Sequence, residues 1–470
     1  MIDKLELQSG LGKRYLLNSD FFLDANLLQK ELDLVDQMCQ LLNNSDTAES
    51  ITRIQVKLMQ IRDINGTINN VLNHRILDEI ELFELKSFML LEDDIRKILQ
   101  QQGINLVQLP DLSREIGLLD PEGNRIPSFY IYDAYSNELA ALRKDLKQKK
   151  NELALQTDNP DEELMMQIEI LRSQATETED HIRGTLSMHL FEKSDLILLA
   201  LDLIAHLDIL IAKALQAKSY GFVKPLISKQ NTLYNALFNP QLKDVLKGQA
   251  RQYQAIDIAL EQSACMITGA NMAGKTVVLK TVALCQYLFQ FGFFIPAEKA
   301  HINLVDGIMI SMGDEQSELN GLSSFASEMM KIDQMMQAVK SEKKMLILID
   351  ELARTTNPDE GRAIVSAVAS ILNQNKVQSI ITTHYSGMNT QCRKLRVKGF
   401  IENHTTANVT KNNINDFIDY SLIEDTSGSV PQEALRIASI LGVDPDIIEK
   451  AEQELLSLNA DTSKDKNNDR

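Results

Sequence analysis

The sequence predicts a chain of two unlike parts, an all-α first half followed by an α/β second half. In residues 1–245, leucine and isoleucine recur at helical spacing between acidic and amide side chains. In the second half, short apolar runs alternate with helical stretches, which is typical of a parallel sheet covered by helices. The strand-like runs are 266–268, 301–304, 308–311, 345–349 and 378–382. A length of 470 residues also exceeds what one hydrophobic core supports.

Composition and the cysteines limit the class of protein. With 44% hydrophobic and 24% charged residues the chain should be globular. No apolar run reaches the roughly 18 residues that a membrane span needs, and the first residues lack the basic and apolar regions of a signal peptide. The four cysteines show no C-x-x-C spacing, which favours reduced thiols over disulfides or a zinc site. We therefore expect a cytoplasmic protein without a membrane segment.

The charge balance bears on the choice of partner. The formal net charge is −18, from 48 basic and 66 acidic side chains. Because non-specific affinity for nucleic acid comes mainly from lysine and arginine neutralising phosphates, so acidic a chain starts with a handicap in binding DNA. A local basic patch could still supply that affinity. The overall charge therefore counts against DNA as the first choice of partner.

Most of the first half is predicted to be helical, with clear helices at 27–42, 51–58 and 196–215. Residues 117–133 interrupt this pattern with prolines and glycines and then offer a strand-like run at 129–132. We interpret this segment as a structural crossover, with a functional loop as the alternative.

Residues 136–183 predict a helical hairpin, since Asp158-Asn-Pro160 interrupts two stretches of long charged side chains over spaced leucines. At 1.5 Å per residue each arm would be about 30 Å long. The first arm carries five basic residues: Arg143, Lys144, Lys147, Lys149 and Lys150. The second carries five glutamates: Glu162, Glu163, Glu169, Glu177 and Glu179. The basic arm could touch a phosphate backbone, or the two arms could neutralise each other as solvated faces.

A phosphate-binding loop is predicted where the run at 265–268 breaks into glycine. The pattern G-x-x-x-x-G-K-[ST] is met by Gly269, Gly274, Lys275 and Thr276. Glycines allow successive N–H groups to turn toward bound phosphates, at the start of a helix where the dipole favours anions. Lys275 would reach the β- and γ-phosphates, and the Thr276 hydroxyl would hold Mg²⁺.

Two further apolar runs end in polar side chains that suit the same site. The run 344–349 ends in Asp350, placed to hold Mg²⁺, and Glu351, placed to polarise an attacking water. A later run ends at His384. Because ligands bind outside the carboxyl ends of the strands in an open α/β sheet, His384 could sense or position the γ-phosphate.

Four stretches, in this order, resemble the ATPase domain of the MutS family. They are 268–276, a loop containing 313–317 and 322–325, 350–361, and 382–385. The residues at 313–317 and 357–361 are more similar to the second, non-mismatch-repair branch of the family than to classical MutS. The resemblance covers residues 250–390. It implies an ABC-type fold with two composite ATP sites at the interface of a homodimer, and ATP with Mg²⁺ as the ligands.

Carried over by position, the resemblance implies a role for individual residues. The nucleotide-binding loop would comprise Gly269, Ala270, Asn271, Met272, Ala273, Gly274, Lys275 and Thr276. Thr276 and Asp350 would hold the metal, Glu351 would be the water-activating acid, and His384 the switch histidine. Ser323 would reach across the dimer to the partner's γ-phosphate. Ala270 and Ala273 replace the usual proline and glycine, which changes neither the charges nor the metal ligands.

The resemblance also implies domain boundaries. We expect a helical core and lever domain at 1–245 with the hairpin 136–183 as a clamp, and an ATPase domain at 246–429. A carboxyl-terminal helix-turn-helix for dimerisation would occupy 430–457, followed by a polar, disordered tail at 458–470.

The expected function is ATP binding and hydrolysis coupled to movement of the lever and clamp. One hypothesis for the cargo is DNA, held by the clamp during mismatch repair or recombination. The alternative is a protein client, because the short acidic architecture and the stretch 119–130 resemble the MutS-related reactivating factors of cobalamin-dependent lysine aminomutases. A scaffold that binds nucleotide without turnover is disfavoured by the intact Lys275, Asp350 and Glu351.

Overall fold

The structure is a computed structural model that describes residues 4–155, 161–269, 273–312, 324–341, 343–354, 356–385, 388, 390–401, 417–425 and 434–455. The chain divides into two compact units. The first comprises Met1–Asp20 and Asp33–Gln216, and the second comprises Phe21–Leu32 and Ala217–Arg470. None of the helices in the described ranges is long and apolar enough to cross a membrane.

The helices are α1 (Gly10–Leu17), α2 (Ala25–Asn43), α3 (Ser45–Leu58), α4 (Asn65–Leu72), α5 (Glu79–Gln101), α6 (Ser113–Leu119), α7 (Asn137–Ala154), α8 (Glu162–Glu192), α9 (Ser194–Tyr220), α10 (Pro240–Gly248), α11 (Lys275–Gln290), α12 (Ser324–Lys340), α13 (Pro358–Gln374), α14 (Ala434–Ile440) and α15 (445–455). The strands are β1 (Leu226–Ser228), β2 (Thr232–Leu237), β3 (Ile256–Leu260), β4 (Ala264–Thr268), β5 (Lys299–Asn303), β6 (Gly307–Ser311), β7 (Met345–Ile349), β8 (Gln378–Thr383), β9 (Arg393–Phe400) and β10 (Ile418–Glu424).

The first unit is built around α5. A reciprocal capping box starts this helix, because the Asp78 carboxylate accepts the Glu81 N–H and the Glu81 carboxylate accepts the Asp78 N–H. Farther along, the buried Lys86 ammonium donates to the Asp120 carboxylate at 2.9 Å and to the Tyr132 hydroxyl at 2.9 Å. These bonds anchor the segment 117–133 to α5.

The prediction of a strand at 129–132 is wrong. Residues 129–132 form no strand, and they lead into a 3₁₀ turn at Asp133–Tyr135. The aromatic pattern that suggested a strand has another cause. Ile131 and Tyr132 are buried, and the Tyr132 hydroxyl is held by Lys86 rather than by a neighbouring strand.

The helices α7 and α8 contact each other along the predicted hairpin. They contain 18 and 31 residues, so at about 1.5 Å per residue the second arm is much longer than the first. It runs past residue 183 to Glu192 because only Gly184 weakens the helical pattern there. The predicted turn at Asp158-Asn-Pro160 lies outside the described residues.

The second unit contains two sheets. The larger has strand order β10-β9-β4-β8-β7-β6, in which all neighbours are parallel except the edge pair β10 and β9. Its strands β4, β7 and β8 are buried at every position, as continuous apolar runs in a parallel sheet should be. These strands match the predicted runs 266–268, 345–349 and 378–382.

The predicted run 301–304 belongs to a different sheet. It overlaps β5, which lies in a smaller sheet of order β1-β5-β2-β3, where β2 is antiparallel to both β3 and β5. The single parallel sheet expected for the second half is therefore wrong at this strand. The residue pattern of a five-residue run cannot show which sheet it joins.

The described part of the carboxyl-terminal region covers residues 434–455, within the predicted element 430–457. Ile437 of α14 is buried in a small apolar cluster with Phe400 of β9 and Ile418 of β10. Val443 in the turn between α14 and α15 and Ile447 of α15 are exposed. The predicted tail 458–470 lies outside the described residues.

Candidate active site

Three parallel strands bring the predicted site residues to one edge of the larger sheet. β8 lies between β4 and β7, with Ile381 opposite both Met266 and Ile349. The chain therefore leaves β4, β7 and β8 at the same edge, which is where open α/β sheets bind ligands. The phosphate loop follows β4, the two acids follow β7, and His384 follows β8.

The described ends of the phosphate loop require glycine. Gly269 has φ 152° and Gly274 has φ 77°, both in the region that disfavours side chains. A Cβ at Gly274 would lie 3.3 Å from the Tyr420 ring, and one at Gly269 would lie 3.4 Å from Val397. Three members of the predicted loop lie outside the described residues: Ala270, Asn271 and Met272.

Lys275 begins α11 and is only 4% exposed. Its ammonium donates to the Gly269 carbonyl at 2.8 Å and lies 3.7 Å from a carboxylate oxygen of Glu351. Burial lowers the pKa of Lys275, while the carboxylates of Glu351 and Asp350 oppose that shift. The structure thus places a buried cation between the loop and the acids.

Asp350 is 7% exposed, and both of its oxygens accept hydrogen bonds from threonine hydroxyls. Thr276 donates to one oxygen at 2.7 Å, and Thr382 donates to the other at 2.5 Å. The predicted metal ligands Thr276 and Asp350 are therefore in direct contact. A hydroxyl and a carboxylate are the hard oxygen donors that Mg²⁺ prefers, so these residues fit that ion.

Thr382 is a site residue that the sequence reasoning missed. Its fully buried hydroxyl donates to Asp350 and also accepts the Glu351 N–H at 2.9 Å, so one side chain fixes both acids. The sequence carried a signal for it, because a hydroxyl within an otherwise apolar buried strand needs a partner. Only the strand order identifies that partner as the end of β7.

Glu351 and His384 lie on the open side of this network. The Glu351 backbone is in the left-handed region with φ 48°, and its carboxylate contacts the Arg354 guanidinium at 3.2 Å. His384 is exposed, and its ring centroid lies 4.2 Å from that of Tyr385. Packing against the protein partly desolvates the ring and lowers the pKa of His384, an effect that Glu351 opposes and that Lys275 and Arg354 reinforce.

The predicted trans residue, Ser323, lies outside the described residues. The first described residue after it is Ser324, where α12 begins.

A cavity of about 900 Å³ adjoins the phosphate loop, and the sequence reasoning did not foresee it. One wall is formed by Gly274, Val277 and Val278, and the others include Tyr253 and Tyr420. The Tyr253 hydroxyl accepts the Asn239 N–H at 3.0 Å, which orients this ring. The size and mostly apolar lining of the cavity are those of a small-molecule pocket.

Comparison with known proteins identifies a family domain in the part of the chain that carries these residues. Residues 265–459 match the family described as MutS domain V. A DNA mismatch repair protein MutS from Desulfatibacillum aliphaticivorans is 33% identical over 270 residues, or 55% of this chain and 29% of the relative. An endonuclease MutS2 from Thermus thermophilus is 34% identical over 188 residues, or 40% of this chain and 24% of the relative.

A longer match covers both units of the chain. A DNA mismatch repair protein MutS from Prochlorococcus marinus is 27% identical over 456 residues, or 93% of this chain and 47% of the relative. The chain thus spans less than half the length of these relatives. With the four motifs in order, the matched domain and these relatives together, residues 265–459 carry a MutS domain V, and the chain is similar to MutS and MutS2 proteins.

Proposed function

We propose that this protein is an ATPase whose site lies at the carboxyl edge of the larger sheet. The observation that carries the proposal is the meeting of Lys275, Glu351 and the Thr276–Asp350 pair at that edge, within hydrogen-bonding or ion-pairing distance. MutS domain V across residues 265–459 supports the same activity.

Each side chain would do one part of the reaction. The Lys275 ammonium would bind the β- and γ-phosphate oxygens, and the N-terminus of α11 would add its dipole. Thr276 and Asp350 would hold Mg²⁺, which neutralises phosphate charge when bound. Glu351 would accept a proton from the attacking water, and His384 would contact the γ-phosphate.

The cavity beside the loop would hold the adenine ring. Its position next to Gly274, its volume and its two tyrosines support this assignment. Apolar walls would bury the base, while an aromatic ring could stack on its face.

The finer architecture belongs to the same proposal. The second unit would have the ABC-type P-loop fold, and two chains would form a homodimer with composite sites completed by Ser323 of the partner subunit. The region 1–245 would act as core and lever, 136–183 as the clamp, 246–429 as the ATPase domain and 430–457 as the dimerisation element. Residues 217–245 of the first region nevertheless lie in the second unit and contain β1 and β2, so the all-α expectation is wrong for them.

A direct test replaces Glu351 with glutamine, which keeps the shape and removes the base. We expect turnover to fall by about 10²- to 10⁴-fold, while binding of a fluorescent ATP analogue is retained. Lys275→Ala should instead lose the binding. Normal turnover by Glu351→Gln would show that this carboxylate does not activate water.

For the cargo, we propose DNA, held by the hairpin of α7 and α8. The relatives named as DNA mismatch repair proteins support it. The hairpin itself supplies less charge than its sequence suggested, because Arg143 contacts Asp133 at 2.6 Å and Glu179 at 2.7 Å. Lys144, Lys147 and Lys150 are exposed, so three cations of this arm could reach phosphates.

The experiment compares ATPase rate and DNA affinity, with duplex and branched DNA, across a salt titration. We expect DNA to stimulate turnover. Neutralising Lys144, Lys147 and Lys150 together with glutamine should reduce the salt slope by up to about 3, at about 0.9 per lost phosphate contact.

The matched control removes the same charge elsewhere, with glutamine at Lys340, Lys376 and Lys450, which are also exposed. It should leave the salt slope unchanged. If DNA neither binds nor stimulates turnover, the DNA proposal fails, and the prediction of a protein client becomes the next to test.

A further inference from the structure

Two side chains hold the backbone of Ala353, one at its N–H and the other at its carbonyl. The Ala353 N–H donates to a carboxylate oxygen of Glu328 at 3.2 Å, and its carbonyl accepts the Tyr385 hydroxyl at 2.7 Å. Ala353 itself is completely buried. Both polar groups of this residue are thus satisfied by side chains rather than by regular secondary structure.

The peptide held in this way has an unfavourable backbone. Ala353 has φ 60° and Glu351 has φ 48°, so two residues with side chains occupy the left-handed region within three positions. Such conformations are unfavourable for residues that carry a side chain, and they persist only where the surroundings impose them. The hydrogen bonds from Ala353 to Glu328 and from Tyr385 to Ala353 are side-chain contacts of this kind.

The Tyr385 ring has a fixed place. It is 7% exposed, lies in the apolar core of the second unit, and its N–H donates to the Thr383 hydroxyl at 3.1 Å. Its hydroxyl fits only because residue 361 is glycine, since a Cβ there would come within 2.1 Å of the oxygen. Gly361 of α13 therefore leaves the space that this hydroxyl occupies. The carbonyl that accepts its hydrogen bond belongs to Ala353, two residues after Glu351.

We propose that Glu328 and Tyr385 are positioning residues for Glu351. By fixing Ala353, they keep the left-handed turn that directs the Glu351 carboxylate to 3.7 Å from the Lys275 ammonium. Neither side chain needs to touch nucleotide. This inference rests on the proposed ATPase activity, because it assigns the two residues to the acid that would activate water.

Glu328 adds a connection between two parts of the site. It lies on the second turn of α12, the helix that starts directly after Ser323 in the sequence. A displacement of α12 would therefore move the hydrogen bond that holds the turn after Glu351. In a composite dimer, α12 follows the residue that would contact the partner's nucleotide. A shift of α12 would thus change the position of Glu351 in the same chain.

The first experiment removes one contact at a time. Tyr385→Phe and Glu328→Ala should each lower kcat by about 5- to 10-fold, the effect of losing one hydrogen bond, with KM and nucleotide affinity unchanged. Glu328→Gln keeps an oxygen that can accept the Ala353 N–H and should restore most of kcat. Tyr287→Phe, at a partly exposed ring away from this turn, is the matched control.

A second experiment separates positioning from general stability. In the Glu351→Gln background, adding Tyr385→Phe should not reduce the residual single-turnover rate further, because the acid that it positions is already gone. The inference is overturned if the loss is the same in both backgrounds, if kcat is unchanged, or if only nucleotide affinity falls.

A third measurement needs no activity. Hydrogen exchange of the peptide containing Ala353 should accelerate in Glu328→Ala by more than exchange in the rest of the second unit does, and it should return to normal in Glu328→Gln. If the wild-type chain hydrolyses no ATP, the proposed function fails, while this exchange pattern still decides whether the two contacts hold the turn. Unchanged exchange in Glu328→Ala would overturn the inference on its own.

Discussion

Two buried carboxylates, one in each unit, have opposite surroundings. Asp350 follows β7 at the edge of the larger sheet, and each of its oxygens accepts a threonine hydroxyl. Glu92 lies within α5 and is fully buried, and neither of its oxygens has a hydrogen-bond partner in the part of the chain that the structure describes. Burial raises the pKa of Glu92 to about 8, with Arg96 opposing and Asp93 reinforcing the shift.

The difference teaches what makes a buried acid suitable for a ligand. Hydroxyl partners hold the Asp350 carboxylate in one orientation, and they can stay in place or give way to a metal. An acid without partners takes up a proton instead, so at neutral pH Glu92 is mainly uncharged. Burial alone therefore does not indicate a site, whereas the chemistry of the partners does.

The largest expected effect is the difference between Asp350 and Glu92 when each is replaced with its amide. Asp350→Asn should reduce ATPase turnover at least about 100-fold and raise the Mg²⁺ concentration needed for half-maximal activity, because the charge that would hold the metal is lost. Glu92→Gln should leave turnover within about twofold of wild type. Similar rates for both amide variants in an Mg²⁺ titration would contradict the distinction drawn between these carboxylates.

A smaller effect is expected from Thr382, whose hydroxyl joins Asp350 to the backbone of Glu351. Thr382→Val keeps the shape of the side chain but removes the bonds to Asp350 and to the Glu351 N–H, and we expect about a tenfold loss of kcat. Thr382→Ser retains the hydroxyl and serves as the control, with a loss below about threefold. Equal losses for valine and serine would point to packing, and not hydrogen bonding, as the role of this residue.

The smallest effect concerns stability. Since the Glu92 pKa of about 8 exceeds the ordinary value of 4.5, the native state holds a proton that the unfolded state releases between these pH values. The stabilising contribution of Glu92 to the free energy of unfolding is therefore complete below pH 4.5. It declines as the pH rises and is constant again above pH 8.

Glu92→Gln should remove this decline, with a gain of about 1–3 kcal/mol at pH 8 and much less at pH 5. Thermal unfolding of the first unit across that range is the measurement. The control is Glu79→Gln at the exposed start of the same helix, which should not change the slope. A Glu92→Gln variant as sensitive to pH as wild type would show that Glu92 is ionised in the native state.

The sequence predicted the features that depend on neighbours along the chain. The bounds of β7 and the acids after it followed from one continuous apolar run, and α2, α7 and α9 followed from helical spacing. Features that depend on strand order did not follow. The Thr382 hydroxyl acquires its role only because β8 lies between β4 and β7, and β5 joins the smaller sheet for reasons outside its own five residues.

The cavity shows the same limit. Tyr253 and Tyr420 are 167 positions apart, and nothing in the spacing of either residue indicates that both line the space beside Gly274. The segment 129–132 failed in the opposite way, because its pattern suited a strand while a buried lysine from α5 determined its conformation.

The contact of Tyr420 with Gly274 also makes the loop accessible to optical measurement. The chain contains no tryptophan, so Tyr420→Trp would introduce a single indole in its whole length, next to the start of α11 and on the wall of the cavity. Its emission could be excited selectively at wavelengths where the nine remaining tyrosines do not absorb. Entry of a nucleotide into the cavity could then be followed in real time, in unlabelled protein, from the wavelength and intensity of the fluorescence emitted by this indole.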